Sequence, residues 1–341
     1  MAERIHLAAN NPDLGGGEAM LLRHAEALLA LGHPVTVVAP DSPSEVLDAA
    51  TTLGADVVPI RADGRRDYLH RLRAWDRSER HGVLWCHGLV PTVATAGRKN
   101  RIVQLHQEPR SRTQRIAATV ARRGALATLV PSADASTRIT GSRPHPNWTA
   151  ELPRLDRPAV EQPHDVGYLG RLSTDKGVDV LARAMARVPG ESRLLLAGDT
   201  RYVSADSVAS VDAAVADLGP RAIRLGHVPG DDLFRRVRVV VFPSVWAEPF
   251  GLVVAEAMAA GVPYVISDAG ALPEVAGPDH PWVARAGDAD DLARVIGRAL
   301  AATPEEVRDV TDRARVRWEE NYSPQAGRLR VQRLLEELGV P

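Results

Sequence analysis

The chain has 341 residues, 45% of them apolar, and a net charge of −1, a composition typical of a soluble globular protein long enough for two domains. The near-neutral charge argues against a nucleic-acid or membrane-surface partner, and a single cysteine, Cys86, excludes a disulfide framework and a cysteine-based metal site. The N-terminus has no signal-peptide core and no apolar run is long enough for a transmembrane segment, so we expect a cytoplasmic protein.

The first half of the chain alternates short β-rich runs with helical segments. Strands are predicted at residues 5–9, 35–39, 56–60, 83–87, 101–106 and 126–130, and helices at 18–31, 67–80, 91–98 and 113–123. The S-x-x-E pattern from Ser42 to Glu45 predicts a capping box with proline at the first helical position. A proline-rich stretch between Arg143 and Pro163 has little periodicity and is interpreted as an interdomain linker.

The alternation then resumes in the second half. Strands are predicted at residues 165–169, 192–197, 222–225, 237–242, 262–266 and 282–284, with helices between them, followed by helices at 288–301, 304–320 and 324–338. Thr303 and Glu306 match a second capping box. Regular alternation of this kind predicts an α/β protein with two Rossmann-like, doubly wound parallel sheets.

One segment, from Glu248 to Pro263, connects two predicted strands through a helix that begins after Gly251. Such a helix N-terminus favours an anion, and glycine lets a phosphate approach the backbone closely. Glu248 and Glu256 flank this position, and carboxylates there suit sugar hydroxyls better than phosphate because like charges repel. The pattern predicts a nucleotide-sugar site, and the alternative is an ordinary crossover with a loop glutamate and a surface glutamate.

The predicted strand at 165–169 leads into a loop with the sequence GRLSTDKG. Ligands of open parallel sheets bind beyond the carboxyl ends of the strands, so Arg171 and Lys176 can reach a phosphate held near Gly251. Lys176 is one of two lysines in the chain, the other being Lys99. The alternative is a solvated loop with two surface charges.

Two further loops follow predicted strands of the second half. Gly198 ends one strand, and His227 and Val228 follow the next. Backbone amides and carbonyls in these loops could hold a flat nucleobase, and the alternative for each is a solvated turn.

Two features of the first half are candidates for contact with a substrate. The glycines at positions 15 to 17 follow the first strand but do not fit a dinucleotide-binding fingerprint, because the third glycine would fall on Met20. His106 ends a strand, where a histidine can orient or polarise a hydroxyl. His87 ends the neighbouring strand and is the rival candidate, and a structural histidine is the alternative for both.

With these motifs in this order, the chain resembles a family 4 retaining glycosyltransferase of the GT-B fold. GRLSTDKG is similar to that family's phosphate-binding arginine and lysine, EPFGLVVAE to its E-x7-E element, GGGE to its glycine-rich acceptor loop and LHQE to its cleft histidine. The resemblance implies two Rossmann-like domains facing across a cleft. It places residues 1–157 and the last helix, 324–341, in an acceptor domain and residues 158–323 in a donor domain.

The resemblance also implies roles for individual residues. Arg171 and Lys176 would stabilise the departing diphosphate, Glu256 would bind the ribose, and Glu248 and His106 would contact sugar or acceptor hydroxyls. The predicted catalytic residues are His106, Arg171, Lys176 and Glu248. The predicted ligand-binding residues are Gly16, Gly17, Gly170, Arg171, Lys176, Gly198, His227, Val228, Glu248, Phe250, Gly251, Leu252, Val253 and Glu256.

The resemblance further implies transfer with retention, without a metal ion or cofactor, from a nucleoside diphosphate sugar to a hydroxylated acceptor. UDP is the expected carrier because it is the commonest in the family. The arginine-rich composition is similar to that of actinomycete enzymes of avilamycin-type oligosaccharide pathways, so an oligosaccharide natural product is the expected acceptor. Two alternatives stay open: a sugar-nucleotide 2-epimerase of the same fold, and a non-catalytic module that binds a nucleotide sugar.

Overall fold

The computed structural model describes residues 2–109, 111–155 and 165–341. The chain divides into two compact units. Unit 1 comprises Met1–Ala150 and Pro324–Pro341, and unit 2 comprises Glu151–Ser323. The predicted domain boundary between residues 157 and 158 lies outside the described residues.

Unit 1 is built on a seven-stranded parallel sheet with the order β3-β2-β1-β4-β5-β6-β7. The strands are β1 Ile5–Ala8, β2 Val35–Pro40, β3 Asp56–Ile60, β4 Val83–His87, β5 Arg101–Gln104, β6 Ala127–Val130 and β7 Arg143–Pro144. The helices of its first segment are α1 Gly16–Ala30, α2 Glu45–Thr52, α3 Arg65–Ser78, α4 Leu89–Ala94, α5 Arg112–Ala121 and α6 Ala133–Arg138. The four residues of β1 are buried, as expected for a central strand covered by helices on both faces.

The structure differs from the prediction for unit 1 at several helix bounds, by the additional helix α6, and at the following places. α1 begins at Gly16, two residues before the predicted start. Strand β7 lies in the predicted linker and, among the described strands, pairs only with β6, an edge position where a proline is tolerated because it need not donate to a further strand. The predicted capping box at Ser42 is wrong, since α2 begins at Glu45 with Ser44 as its N-cap and Pro43 precedes the helix.

Unit 2 is built on a six-stranded parallel sheet with the order β10-β9-β8-β11-β12-β13. The strands are β8 Val166–Leu169, β9 Leu194–Ala197, β10 Ala222–Gly226, β11 Val239–Phe242, β12 Tyr264–Ser267 and β13 Val283–Ala284. The helices are α7 Val178–Met185, α8 Ala205–Ala216, α9 Gly230–Phe234, α10 Leu252–Ala260, α11 Leu272–Ala276, α12 Ala289–Ala301 and α13 Pro304–Asn321.

Two apolar clusters cover the two faces of the unit 2 sheet. One joins residues of α7, α8 and α12, including Leu181 and Val295, to alternate residues of the strands. The other joins α10, α11 and α13, including Met258 and Trp318, to the remaining strand residues. The prediction of two doubly wound parallel sheets is therefore confirmed.

The capping box at Thr303 is also confirmed, because Glu306 N donates to Thr303 Oγ1 and Thr303 N donates to Glu306 Oε2.

The last helix, α14 (Pro324–Leu338), belongs to unit 1 and packs against α1. Gly327 makes this close approach possible, because a Cβ there would lie 2.3 Å from Cδ2 of the buried Trp148. Arg330 Nη1 donates to Pro146 O at 2.8 Å. Among the described helices, none has the length and apolar content needed to cross a bilayer.

Candidate functional site

Most predicted ligand-binding residues lie at one edge of the unit 2 sheet, where β8, β9, β10 and β11 end. The chain order runs outward from β8 to β10 and then restarts on the other side at β11. At such a reversal point, the loops that follow the two adjacent strands run to opposite sides of the sheet, and the crevice between them leaves room for a ligand. Lys176 follows β8 and Glu248 follows β11, so these two residues come from the loops on either side of the reversal.

Lys176 and Glu248 form an ion pair at this position. Lys176 Nζ lies 2.5 Å from Glu248 Oε2, and the two side chains are 25% and 13% exposed. Ser244 Oγ donates to the same carboxylate oxygen at 3.2 Å. An ammonium group has three donors, so Lys176 keeps donors for a ligand while Glu248 holds its position. The predicted phosphate-binding cation and the predicted sugar-binding carboxylate are thus direct partners.

The N-terminus of α10 lies beside this ion pair. Gly251 is its N-cap in the left-handed conformation, with φ 93°, and no side chain in the described part of the chain caps the helix. A Cβ at Gly251 would lie 3.8 Å from Glu248 Cγ and 2.6 Å from Leu272 Cδ2, so this position requires glycine. The first backbone N–H groups of a helix, here those of Leu252 and Val253, have no intrahelical acceptor and suit an anion.

Backbone contacts tie the loop after β8 to the loop after β11. Asp175 O accepts from Val245 N at 3.1 Å and from Trp246 N at 3.0 Å. Gly177, at φ 70°, is packed so closely that a Cβ would fall 1.9 Å from Pro243 O. These contacts fix the position of Lys176 relative to the residues that precede Glu248.

Arg171 lies on the same loop but is more exposed than Lys176. Its side chain is 41% exposed, and Nη2 lies 3.3 Å from Asp175 Oδ2. Tyr168 Oη donates to Arg171 O at 2.6 Å. Burial, followed by the charge of Glu248, raises the pKa of Tyr168, so its hydroxyl stays a neutral donor. Each predicted phosphate-binding cation therefore has a carboxylate neighbour, which limits the positive charge of the site.

The predicted nucleobase loops meet the phosphate loop through glycines. A Cβ at Gly198 would lie 1.9 Å from Gly170 O, and Gly198 N donates to Gly226 O at 2.7 Å. In the next loop, His227 is exposed and Val228 is partly buried. The three loop ends are thus held together at the same sheet edge as Lys176.

Two predicted ligand-binding residues lie further from solvent. The Phe250 side chain is 3% exposed and packs edge-on against Tyr322 at a centroid distance of 5.3 Å. Of Phe250, the backbone is therefore better placed for ligand contact than the side chain. Glu256 is partly buried on α10, one turn beyond the N-terminus.

Three residues that support Glu248 carry no sequence signal for a site. Besides donating to Glu248, Ser244 accepts through its carbonyl from Ser267 Oγ at 2.6 Å. Gly270, at φ 60°, lies where a Cβ would fall 2.4 Å from Glu248 N. Ser267 and Gly270 lie beyond the motif in sequence, and a lone serine or glycine after a strand, like Ser244, is common in loops.

In unit 1, the glycine-rich loop and the predicted histidine come together. Gly16 and Gly17 form the first turn of α1, and a Cβ at Gly17 would lie 3.2 Å from His106 Cδ2. Glu18 is buried and accepts from Asn11 N and Asn11 Nδ2, each at 3.1 Å, while burial raises its pKa. The glycines thus bring the α1 backbone against the imidazole of His106.

His106 belongs to a group of four histidines, His24, His87, His106 and His145, which we call the histidine cluster. His87 Nδ1 lies 3.0 Å from His106 Nε2, and His24 Nε2 lies 3.2 Å from His145 Nε2. His87 is 1% exposed, so it cannot be the rival substrate contact. Burial lowers the pKa of His24 to about 3 and that of His106 to about 4, and it lowers the pKa values of His87 and His145 well below their usual range.

We expect the histidine cluster to make the protein sensitive to acid. The folded chain keeps these imidazoles neutral, whereas the unfolded chain protonates them below about pH 6.5. Stability is therefore complete above that pH and falls as the pH is lowered towards 4, by up to about 1.4 kcal/mol per pH unit for each histidine. Urea unfolding at pH 7.5, 6 and 5 measures this slope.

The matched variants are His24→Phe in the cluster and His227→Gln in an exposed loop. His24→Phe should reduce the slope of the unfolding free energy against pH by about 1.4 kcal/mol per pH unit, which corresponds to one proton. His227→Gln should leave this slope unchanged. A free energy of unfolding that stays constant between pH 6.5 and 5 would contradict the expectation.

Within residues 2–109, 111–155 and 165–341, no group of three or more His, Cys, Asp or Glu side chains is arranged to hold a metal ion. The site in unit 2 consists of an ion pair, a helix N-terminus and glycine-rich loops. Such an arrangement suits a phosphate-bearing ligand with hydroxyl groups nearby.

Sequence comparison finds similarity to a known family within unit 2. Residues 163–302 match the family model described as "Glycosyl transferases group 1". The lipopolysaccharide core biosynthesis mannosyltransferase LpcC of Rhizobium leguminosarum bv. viciae is 38% identical over 146 residues, covering 40% of this chain and 41% of that protein. The MMP alpha-(1->4)-mannosyltransferase of Mycolicibacterium hassiacum is 35% identical over 155 residues, covering 44% of this chain and 37% of that protein. The chain thus spans less than half the length of these curated relatives.

Structural comparison covers nearly the entire chain. HepE of Anabaena, solved in complex with UDP-glucose, superposes with a TM-score of 0.85 at 20% identity, covering 98% of this chain and 100% of that chain. AviGT4, a glycosyltransferase involved in avilamycin A biosynthesis, superposes with a TM-score of 0.64 at 22% identity, covering 99% and 97%. At these identities the likeness shows the fold alone, which is GT-B.

Proposed function

We propose that this protein is a glycosyltransferase that moves a sugar from a nucleoside diphosphate sugar to a hydroxyl group of an acceptor. The observation that carries the proposal is the Lys176–Glu248 ion pair beside the uncapped N-terminus of α10. This arrangement lies within the residues that match the group 1 glycosyl transferases. It offers a cation and backbone donors to a diphosphate, and a carboxylate to a sugar.

We assign donor binding to the edge of the unit 2 sheet. Lys176 Nζ and the N–H groups of Leu252 and Val253 would bind the diphosphate. Arg171 would swing from Asp175 to a phosphate oxygen, because their contact is long and exposed and therefore weak. Glu248 would hold Lys176 through Oε2 and accept a sugar hydroxyl through Oε1. Glu256 would accept from the ribose.

The proposed reaction proceeds with retention and without a metal ion. The bond between the anomeric carbon and the diphosphate oxygen breaks, and a bond forms from the anomeric carbon to the acceptor oxygen on the same face. The acceptor proton passes to an oxygen of the leaving phosphate. The protein would contribute placement and stabilisation of the charge that develops on the diphosphate. His106, in unit 1, would donate a hydrogen bond to a sugar or acceptor oxygen.

We propose UDP as the carrier. This choice is supported by HepE, which shares the fold and was solved in complex with UDP-glucose. The uracil would lie against the glycine-containing loops that follow β8, β9 and β10. An avilamycin-type acceptor stays a prediction, because a fold shared with AviGT4 at 22% identity carries no information on the acceptor.

Thermal unfolding with nucleotides tests the donor assignment. UDP at 100 times its dissociation constant should stabilise the protein by about 2.7 kcal/mol, or about 5–10 °C in Tm. UMP, GDP and dTDP at the same concentration should shift Tm less. In a Lys176→Met variant the difference between UDP and UMP should shrink, because Lys176 would bind the diphosphate. If UDP and UMP stabilise equally, or no diphosphate binds, the donor site is wrongly assigned.

Incubation with the donor alone separates transfer from its alternatives. We expect UDP-glucose without an acceptor to show at most slow hydrolysis to glucose, and acceptors to raise UDP release. Rapid release of a C2-epimerised sugar would instead show a 2-epimerase. Tight nucleotide-sugar binding without turnover across a broad acceptor panel would show a binding module.

A further inference from the structure

Helix α5 of unit 1 presents its bulky apolar side chains to solvent. Its buried residues are Ala118 and Ala121, both of which are small. Ile116 is 58% exposed and Val120 is 51% exposed. A helix that covers a sheet normally turns its large apolar residues towards the core, as α1 does with the buried Leu21. The apolar pair on α5 therefore contributes little to the core of unit 1.

Arginines border this apolar pair. Arg112, Ile116 and Val120 are spaced four residues apart, so they form one row along the helix surface. Arg115 and Thr119 lie beside this row, and the Thr119 hydroxyl donates to Arg115 O at 2.8 Å. A further exposed arginine follows the end of the helix. We call the exposed residues Arg112, Arg115, Ile116, Val120 and Arg123 the α5 patch.

The positive charge of the α5 patch is not neutralised within the described residues. Its arginines form no ion pair there, whereas Arg313, exposed on α13, pairs with Asp309 at 2.9 Å. The sequence has no acidic residue between Glu108 and Asp134, and both of these carboxylates pair with Arg138. Helix α4, which packs against α5, has no acidic residue either. The patch therefore combines exposed apolar surface with uncompensated positive charge.

This combination narrows the class of partner. The net charge of −1 is an average over the whole chain, and the α5 patch departs from that average. Nucleic acid would contact the arginines through its phosphates but would leave Ile116 and Val120 in water. A second copy of the patch would place arginines against arginines. The surface of an anionic bilayer accepts both parts, because its phosphates attract guanidinium groups and its acyl chains take up apolar side chains.

We propose that the α5 patch is a docking surface for an anionic lipid bilayer. Helix α5 would lie in the plane of the membrane, with Ile116 and Val120 at the boundary between headgroups and acyl chains. The arginines of the patch would bind lipid phosphates. Binding would be reversible, because the apolar contact is confined to two side chains. The inference concerns unit 1 alone and does not depend on the proposed function.

Sedimentation of the full chain with lipid vesicles tests the proposal without any variant. Vesicles of equal parts phosphatidylcholine and phosphatidylglycerol should bind the protein, and vesicles of phosphatidylcholine alone should bind it at least about tenfold more weakly. Salt should release most of the bound protein, because the Debye length falls from about 10 Å at 0.1 M to about 3 Å at 1 M. Equal binding to the two kinds of vesicle, or binding to neither, would overturn the proposal.

Glutamine substitutions separate the two parts of the patch, since glutamine is a good helix former. Arg112→Gln/Arg115→Gln should weaken binding to the anionic vesicles about 25-fold, or about fivefold for each arginine. Ile116→Gln, which leaves the charge unchanged, should weaken binding about tenfold. The matched control is Arg313→Gln/Val316→Gln on α13, where Val316 is 52% exposed, and it should bind as the wild type does. A control that loses as much as the α5 variants would contradict the proposal.

Heparin distinguishes a bilayer from other acidic partners, because it is a polyanion without an apolar interior. Ile116→Gln should leave heparin binding unchanged while it weakens vesicle binding. An Ile116→Gln protein that binds both as the wild type does would show a general polyanion surface, and the proposal would be wrong.

A fluorophore at position 116 reports whether α5 itself enters the bilayer. Ile116→Cys carrying an environment-sensitive dye should shift its emission to the blue when anionic vesicles are added, and Val316→Cys on α13 should not. Cys86 does not compete for the dye in the folded protein, because it is fully buried and burial raises the pKa of its thiol to about 11. Vesicle-bound protein whose dye at position 116 stays in water would show that another surface docks, which overturns the proposal.

Discussion

A protein carrying Lys176→Met should transfer sugar about 10²–10³-fold more slowly than the wild type, the loss found when a fixed donor to a developing negative charge is removed. Methionine keeps the apolar stem of the side chain but has no charge to stabilise the departing diphosphate. The loss should appear in kcat as well as in kcat/KM, because the negative charge on the leaving group grows in the transition state. Steady-state release of UDP from UDP-glucose with an acceptor measures both constants.

The chain offers a matched control for this substitution. Lys99, the other lysine, is exposed in unit 1, and Lys99→Met should leave both constants unchanged. The double variant Lys176→Met/Glu248→Gln removes both partners of the ion pair. It should recover stability that the single variant loses by leaving Glu248 unpaired, but it should not recover turnover. A Lys176→Met protein with full kcat would show that Lys176 is not the cation that the diphosphate needs.

Gly177→Ala is expected to destabilise unit 2 by more than about 4 kcal/mol, among the largest effects of a single substitution. The left-handed backbone at φ 70° costs any L-residue roughly 1–2 kcal/mol, and the new Cβ would fall 1.9 Å from the backbone oxygen of Pro243. Backbone on both sides of this contact would have to move. Because Pro243 precedes the serine that donates to Glu248, UDP affinity should fall together with stability.

Gly190→Ala separates the two causes. Gly190 also lies in unit 2 with a left-handed backbone, at φ 90°, but a Cβ there would meet nothing within 4 Å. This variant should lose only the roughly 1–2 kcal/mol of backbone strain and keep its affinity for UDP. Urea unfolding and UDP titration of the two variants give the comparison. Equal losses of stability would show that the approach of Gly177 to Pro243 is not tight.

The parallel sheets were predictable because each strand is a short β-rich run between helical segments, and the predicted strands of unit 1 begin within one residue of their positions in the structure. The two predicted capping boxes show a feature that local sequence does not determine. The same spacing forms a box at Thr303 but not at Ser42, where Glu45 Oε2 accepts from Leu14 N at 3.0 Å instead. This contact spans 31 residues, and local sequence does not contain it.

The candidate site was predictable as a set of loop positions but not as a set of contacts. Parallel-sheet logic placed Lys176, Glu248 and Gly251 at one sheet edge. The pairing of Lys176 with Glu248 joins residues 72 apart and depends on which strands are neighbours. His87 and His106 were predicted as rivals, because their strand ends looked equivalent. In the structure His87 is 1% exposed and lies 3.0 Å from His106, and burial is a property of the folded sheet.

The packing of α14 against α1 has a consequence for how the chain is made. Translation delivers the residues of unit 2 before it reaches Pro324, so unit 1 lacks one of its helices until unit 2 has been synthesised. Until then the indole of Trp148 has no Gly327 backbone to cover it. On the ribosome, unit 2 can therefore finish folding first, although unit 1 leaves the exit tunnel earlier.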